Sequence, residues 1–437
     1  MGSGQTNVSV SFSAYWRLVR ENANFRYLWM AQIVSEIGDW FYTLALLSLV
    51  LQLTGQAASV GLALMVQVLP QTFFGPLAGI INDRLRRKSV MIAADLIRFV
   101  IVLSMLLVRS RSTVWMVYPL LLLETATATF FGPARSAVVP NIVNKEDVIL
   151  ANTLSSSTWS LNLMIGAALG GIVAALFGRD AVFILNALSF LLSAVLISRM
   201  HFAEPHADDS PPLRPKDLVD YSPVIEGIRY VGRDRSLLAT VFAKAGELMV
   251  GPGWVLFTVM GQRYFAVHWR GADPERATML GMSFLIGARG IGTLFGPLLS
   301  ARWAGHSDRR LRQGILIGYI VIAIGYAALG GALNVWIACL YIAFAHCGGS
   351  TVWVFSTTML QLNTDDRFRG RVFAADNALC MLSIAVGAYF CGHFMDWGAS
   401  PRVLTVGVGV SMVFPIVLWG WAMRPWRAPA ELQPLQQ

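Results

Sequence analysis

Charge is what this sequence has least of. Of 437 residues only 14% are Asp, Glu, Lys or Arg, against about 25% in a soluble domain, while 55% are hydrophobic and mean hydropathy is +0.57. Such a chain lacks the polar residues to cover a water-facing fold. Cysteine is scarce too. Cys339, Cys347, Cys380 and Cys391 all fall in apolar runs without CxxC spacing, which speaks against a disulfide framework or a metal site. There is no Gly-x-x-x-x-Gly-Lys-Ser/Thr phosphate loop, no His-Glu-x-x-His pair and no Gly-x-Ser-x-Gly elbow. An enzyme is therefore not expected, nor is a cofactor. The formal charge of +9 does not imply nucleic acid, because the bases collect in short loops between apolar runs. The first residues carry no charged segment followed by an apolar one, so no cleaved signal peptide is expected. Met1-Gly2 with Thr6 fits a myristoylation pattern but would add little to a chain that spans the membrane.

What the chain has instead is long apolar runs, several exceeding the roughly 18 residues that cross a bilayer as a helix. They do not alternate, so a β-barrel is disfavoured. The runs lie at 26–52, 58–82, 89–109, 113–138, 149–177 and 181–200, then at 236–261, 277–304, 312–333, 335–360, 373–397 and 401–423. The expected fold is an all-α membrane protein of twelve transmembrane helices in two six-helix bundles. Residues 1–24 form a tail with an interfacial helix around Tyr15 to Glu21, and 25–200 the N-terminal bundle. Residues 201–235 form a linker, rich in proline and acid up to Leu218 and amphipathic from Tyr221 to Arg235. The C-terminal bundle is 236–423, and 424–437 a second tail.

Orientation follows from Lys and Arg in short loops. Seventeen lie on the side of the termini and seven on the other, which places both termini in the cytoplasm. The two halves also repeat. Gly75-Pro76-Leu77, leading to Asp83-Arg84, is echoed by Gly296-Pro297-Leu298 leading to Asp308-Arg309. Ala151-Asn152-Thr153-Leu154 is echoed by Asp376-Asn377-Ala378-Leu379. Two matches at nearly one offset indicate parallel repeats.

The stretch Gly79, Asp83, Arg84, Arg87 and Lys88 resembles the Gly-x-x-x-Asp-Arg-x-Gly-Arg-Arg/Lys loop between helices 2 and 3 of the major facilitator superfamily, with Arg86 in place of the second glycine. Within it the chain is similar to the third drug:proton antiporter group, which includes macrolide-efflux and enterobactin exporters. That similarity rests on Asn24-Phe25-Arg26, Gly38-Asp39-Trp40, Phe131-Gly132-Pro133-Ala134-Arg135, and Arg367-Phe368-Arg369-Gly370-Arg371-Val372. The group's Gly-Pro-x-x-Gly-Gly motif stands here as Gly166-Ala167-Ala168-Leu169-Gly170-Gly171. The proline kink is missing, but a small-residue face that permits close helix packing remains.

Ionisable residues inside spans are costly and so are functional candidates. Glu36 and Asp39 share one face of the first span, and two close carboxylates cannot both ionise readily in a low-dielectric site. With Glu124 they are the candidates for proton coupling. Asp95 with Arg98, and Lys244 with Glu247, are each three apart and read as local ion pairs. Glu124 and Arg289 have no local partner and are expected to face a central cavity. Arg289, Asn162 and Trp159 are the substrate candidates, with Asn186, Gln67, Trp254 and Trp353 as further cavity residues. His346 reads as a hydrogen-bonded core residue. The charged loop, paired with Arg135 or Arg371, reads as a cytoplasmic gate.

The reading is a monomeric multi-pass transporter of the plasma membrane, a bacterial inner membrane by resemblance, exporting small amphipathic molecules such as drugs or siderophores against protons. The alternatives are a lipid or lysophospholipid flippase, favoured by a substrate path open sideways to lipid, and a non-transporting receptor or scaffold, which predicts no polar cavity.

Overall fold

The computed structural model describes residues 12–144, 147–204, 222–232, 234–268, 274–304, 307–364 and 366–422. A short surface helix, α1 (Phe12–Glu21), precedes six spans: α2 (Ala23–Thr54), α3 (Ala57–Arg84), α4 (Arg87–Ser104), α5 (Val117–Ile142), α6 (Val148–Phe177) and α7 (Arg179–Ser198). In the linker, α8 (Ser222–Val231) occupies the stretch expected to be amphipathic. The second half comprises α9 (Arg235–Ala245), α10 (Val250–Arg263), α11 (Pro274–Ala304), α12 (Asp308–Leu329), α13 (Val335–Asn363), α14 (Asp366–Asp396), α15 (Pro401–Ser411) and α16 (Val413–Ala422). The proline-rich part of the linker and the C-terminal tail lie outside the described residues.

These segments are helical because a lipid-facing backbone has to satisfy its own hydrogen bonds. Polar residues at the run boundaries set the ends. Asn22 accepts from the Phe25 amide at 2.9 Å to start α2, and Gly55, at φ 69°, closes it by donating to the Leu51 carbonyl. Asn334 and Ser400 cap α13 and α15 in the same way.

Among the described residues eleven helical segments are long and apolar enough to cross a membrane, with α15 and α16 counted as one. The twelfth crossing is broken. Where a continuous span was expected over 236–261, the helix stops at Ala245 and restarts at Val250. Pro252 explains this: its ring would clash with the carbonyl of Leu248 in a continuous helix, and Gly246, Gly251 and Gly253 weaken the helix around it. Gly251 also lies against the backbone of α14, so closely that a side chain there would meet the Ile384 carbonyl.

The packing repeats as the sequence does. In the first half α3 and α4 pack on α5, α4 on α7, and α2 on α6. In the second half α11 and α12 pack on α13, α12 on α15, and α10 on α14. The halves meet along α3 with α14 and along α6 with α11, two contacts that exchange under the same correspondence. The fold is therefore two parallel-repeat six-span bundles.

Candidate functional site

In the first half, charged side chains from three spans converge in the interior. Arg98 of α4 donates to Asp39 of α2 at 2.9 Å and to Glu124 of α5 at 2.7 Å, with its Nε also on Glu124 at 2.8 Å. Its guanidinium lies over the Phe190 ring of α7, 3.9 Å from the centroid. The side chains of Arg98 and Glu124 are 6% and 7% exposed, while that of Asp39 is 36% exposed and forms the open edge of the cluster. One turn towards the face that carries the termini, Glu36 of α2 accepts from Arg135 of α5 at 2.9 Å, from Gln32 at 2.9 Å and from Asn162 of α6 at 3.0 Å. The spacing of Glu36 and Asp39 put both on one face, as expected, but each takes a different arginine.

Several expected pairings are replaced by longer ones. Asp95 does not pair with Arg98. The guanidinium reaches across to two acids on other spans, and both oxygens of buried Asp95 lack a hydrogen-bond partner among the described residues. Glu124 is likewise enclosed against Arg98 and not free in a cavity. In the second half Lys244 bonds Asp376 of α14 at 2.5 Å, with its ammonium 4.9 Å from the Trp353 ring centroid, and it does not pair with Glu247. The helix ends between the two, so three-residue spacing no longer stacks them. Glu247 sits in the break, buried, and its Oε1 has no partner. Asp376 was legible only as a repeat marker, although an isolated acid inside the run 373–397 was the signal for a buried charge. His346 is core, 2% exposed and 3.5 Å from the Tyr326 hydroxyl.

Four residues from both halves meet midway through the bundle. Trp40 of α2 stacks on Trp254 of α10 with centroids 6.0 Å apart, and its edge meets Trp159 of α6 at 6.0 Å. Arg289 of α11 lies over the other partner, its guanidinium 4.6 Å from the Trp254 centroid. Glycines bring the halves close around this point. A side chain at Gly290 would meet Met164 of α6, and one at Gly171 would meet Ser283 of α11. Gly166 and Gly170 instead face Trp40 and Phe41 of α2, so the small-residue face of α6 serves two contacts.

At the face away from the termini, α3 begins at Ala57 without a side-chain cap of its own. Asp396 at the end of α14 supplies one, accepting from the Ala57 and Ala58 amides at 2.9 Å each. Beside it Gly61 lies against the Ala388 carbonyl and Gly392 against Ala57. The halves are thus closed at this far face. Asp396, at the end of the apolar run 373–397, was not among the expected functional residues. Asp396→Ala removes a cap worth about 1 kcal/mol and should shift the conformational equilibrium roughly fivefold towards opening of this face. The check is the labelling rate of Ser59→Cys, in a background without the four native cysteines, by a membrane-impermeant maleimide. An unchanged rate would remove the latch.

At the terminal face, Arg87 donates to the Asn82 carbonyl at 3.2 Å and the Ala137 carbonyl of α5 at 3.0 Å. Lys88 donates to the Ser198 and Met200 carbonyls at 2.8 and 2.6 Å, capping the end of α7. Arg84 closes α3, a side chain at Gly79 would meet nothing within 4 Å, and the Asp83 side chain lies outside the described ones. Of the bases expected to meet Asp83, Arg135 is held by Glu36 and Arg371 by Glu226 of α8 at 2.5 Å. Among the described residues no group of three or more metal-ligating side chains assembles.

The family model of the Major Facilitator Superfamily matches residues 28–388. The chain is 24% identical to the putative bacilysin exporter BacE of Bacillus subtilis (strain 168), over 84% of this chain and 87% of that protein. It is also 24% identical to macrolide efflux protein A of Streptococcus pyogenes, over 87% of this chain and 90% of that one. A crystal structure of a mutant of the nucleoside transporter NupG superposes with a TM-score of 0.70 at 12% identity, covering 92% of this chain and all of that one.

Proposed function

Since the chain belongs to the Major Facilitator Superfamily and is a multi-pass membrane transporter, we propose that it exports small amphipathic organic molecules in exchange for protons. The observation that carries this reading is the cluster of Asp39, Arg98 and Glu124. Asp39 and Glu124 share one guanidinium, and the charge of buried Asp95 also acts on it, so a proton entering the cluster neutralises surplus charge and creates none. Asp39 is the most exposed member, through which a proton would enter; Glu36 is a second acceptor one turn away.

In this reading residues 25–200 and 236–423 rock as two bodies around the mid-membrane site, with 201–235 and the tails in the cytoplasm. The excess of Lys and Arg in loops on the terminal side supports that orientation. The state described is then the one closed to the outside, with Asp396 as its latch. The loop containing Gly79, Asp83, Arg84, Arg87 and Lys88 acts as the opposing gate when the cytoplasmic face closes, drawing on Arg135 and Arg371 once these leave Glu36 and Glu226. One chain suffices for this cycle. The efflux roles in the names of two relatives support export over import.

The experiment is dissipation of an imposed pH gradient in everted vesicles, with a dye reporting the gradient. The compounds added are macrolides, bacilysin and aryl carboxylates. At least one should collapse the gradient only where the protein is present. Uptake of that compound that persists unchanged when nigericin removes the gradient would contradict proton exchange.

A further inference from the structure

We propose that Arg289 and the three tryptophans beside it form a subsite for the carboxylate of an aromatic or similarly flat organic acid, a substrate class within the exporter reading above and resting on it. The Nε and Nη1 of Arg289 are buried, and among the described residues they make no hydrogen bond and the side chain makes no ion pair. An arginine placed in a membrane interior without an acceptor is costly, so a partner belongs to its working cycle.

Among the described residues the acid whose charge acts on Arg289 is Glu247, which sits in the break between α9 and α10 with its own Oε1 unpaired. Asp376, another acid buried in this half, is already taken by Lys244. Arg289 and Glu247 are thus a cation and an anion held close but not joined. This arrangement lets the guanidinium exchange between a resident acid and an incoming one. A guanidinium presents paired N–H groups in a plane, which match a carboxylate at two points.

The walls say what the carboxylate is attached to. Trp254 carries the guanidinium on one side and stacks on Trp40 with an interplanar angle of 7°, and Trp159, 46% exposed, meets Trp40 edge-on. Flat apolar faces therefore lie beside the cation and come from both halves, α2 and α6 on one side and α10 on the other, with the cation itself on α11. A ligand touching all of them would sense the relative movement of the halves, which a site confined to one half would not. Planar apolar bodies stack on such faces, while a bare anion gains nothing from them.

The test is intrinsic tryptophan fluorescence of the purified full-length protein, titrated with three probes of one shape: 1-naphthoate, 1-naphthylmethylamine and 1-naphthylmethanol. Naphthoate should bind saturably and at least about tenfold more tightly than the other two. Arg289→Gln should abolish that preference, Arg289→Lys should retain part of it, and Glu247→Gln should strengthen naphthoate binding by removing the competing acid. Inorganic phosphate should not displace naphthoate. Equal affinity for all three probes, or an unchanged preference in Arg289→Gln of wild-type thermal stability, overturns the proposal, as does displacement by phosphate, which needs no flat body. The readout is equilibrium binding without a gradient. Charge-selective binding without proton exchange in vesicles would contradict the exporter reading alone; proton exchange with charge-blind binding would contradict this subsite alone.

Discussion

Arg98→Leu should leave a protein that inserts but does not hold its first bundle together. Among the described residues Arg98 is the only base in contact with Asp39 and Glu124, and Glu124 is almost wholly enclosed. Removing one partner of a buried pair leaves an uncompensated charge and costs about 3–5 kcal/mol, where replacing both partners by neutral groups costs far less. The thermal midpoint in detergent should fall by roughly 10 °C or more for a bundle of this size. Adding Asp39→Asn and Glu124→Gln to Arg98→Leu should recover most of that loss while transport stays absent. If Arg98→Leu alone melts with the wild type, the cluster is not the structural centre of this half.

Apolar runs and loop bases located eleven crossings and the repeat, because length in lipid and backbone self-satisfaction leave little choice. The twelfth was misjudged as continuous, since a hydropathy sum over 236–261 does not register that Pro252 and three glycines break the backbone. The charged residues were found individually, because a charge in a span stands out. Their partners were not, because spacing along one helix shows only local neighbours. Arg98 passed over Asp95 for acids on α2 and α5, and Lys244 found Asp376, more than a hundred residues away. Asp396 escaped notice because an acid at the end of a span looks the same whether it faces water or the first amides of another helix. Contacts of this kind belong to the packing of the halves, which no single stretch of sequence records.

The second large effect concerns coupling. Asp39 can lose its charge and still accept hydrogen bonds from Arg98 as an asparagine carbonyl, so Asp39→Asn should fold while depriving the cluster of its exposed proton acceptor. Glu124→Gln removes the buried acceptor, and Glu36→Gln the one held by Arg135. If the cluster couples transport to protons, the loss should appear in gradient-driven flux and not in exchange at equal pH, where no net proton movement is needed. The expected drop for Asp39→Asn is at least about 100-fold in the gradient-dependent part, the range that loss of a positioned proton carrier produces. Exchange should stay within a few fold of wild type.

The most direct measurement is therefore uptake into inverted vesicles, with and without an imposed pH gradient, for wild type, Glu36→Gln, Asp39→Asn and Glu124→Gln, using whichever compound collapses the gradient in the wild type. The proposed mechanism predicts that the gradient accelerates uptake in the wild type, that Asp39→Asn loses this acceleration, and that its uptake at equal pH persists. Full gradient-driven uptake in all three variants would contradict it.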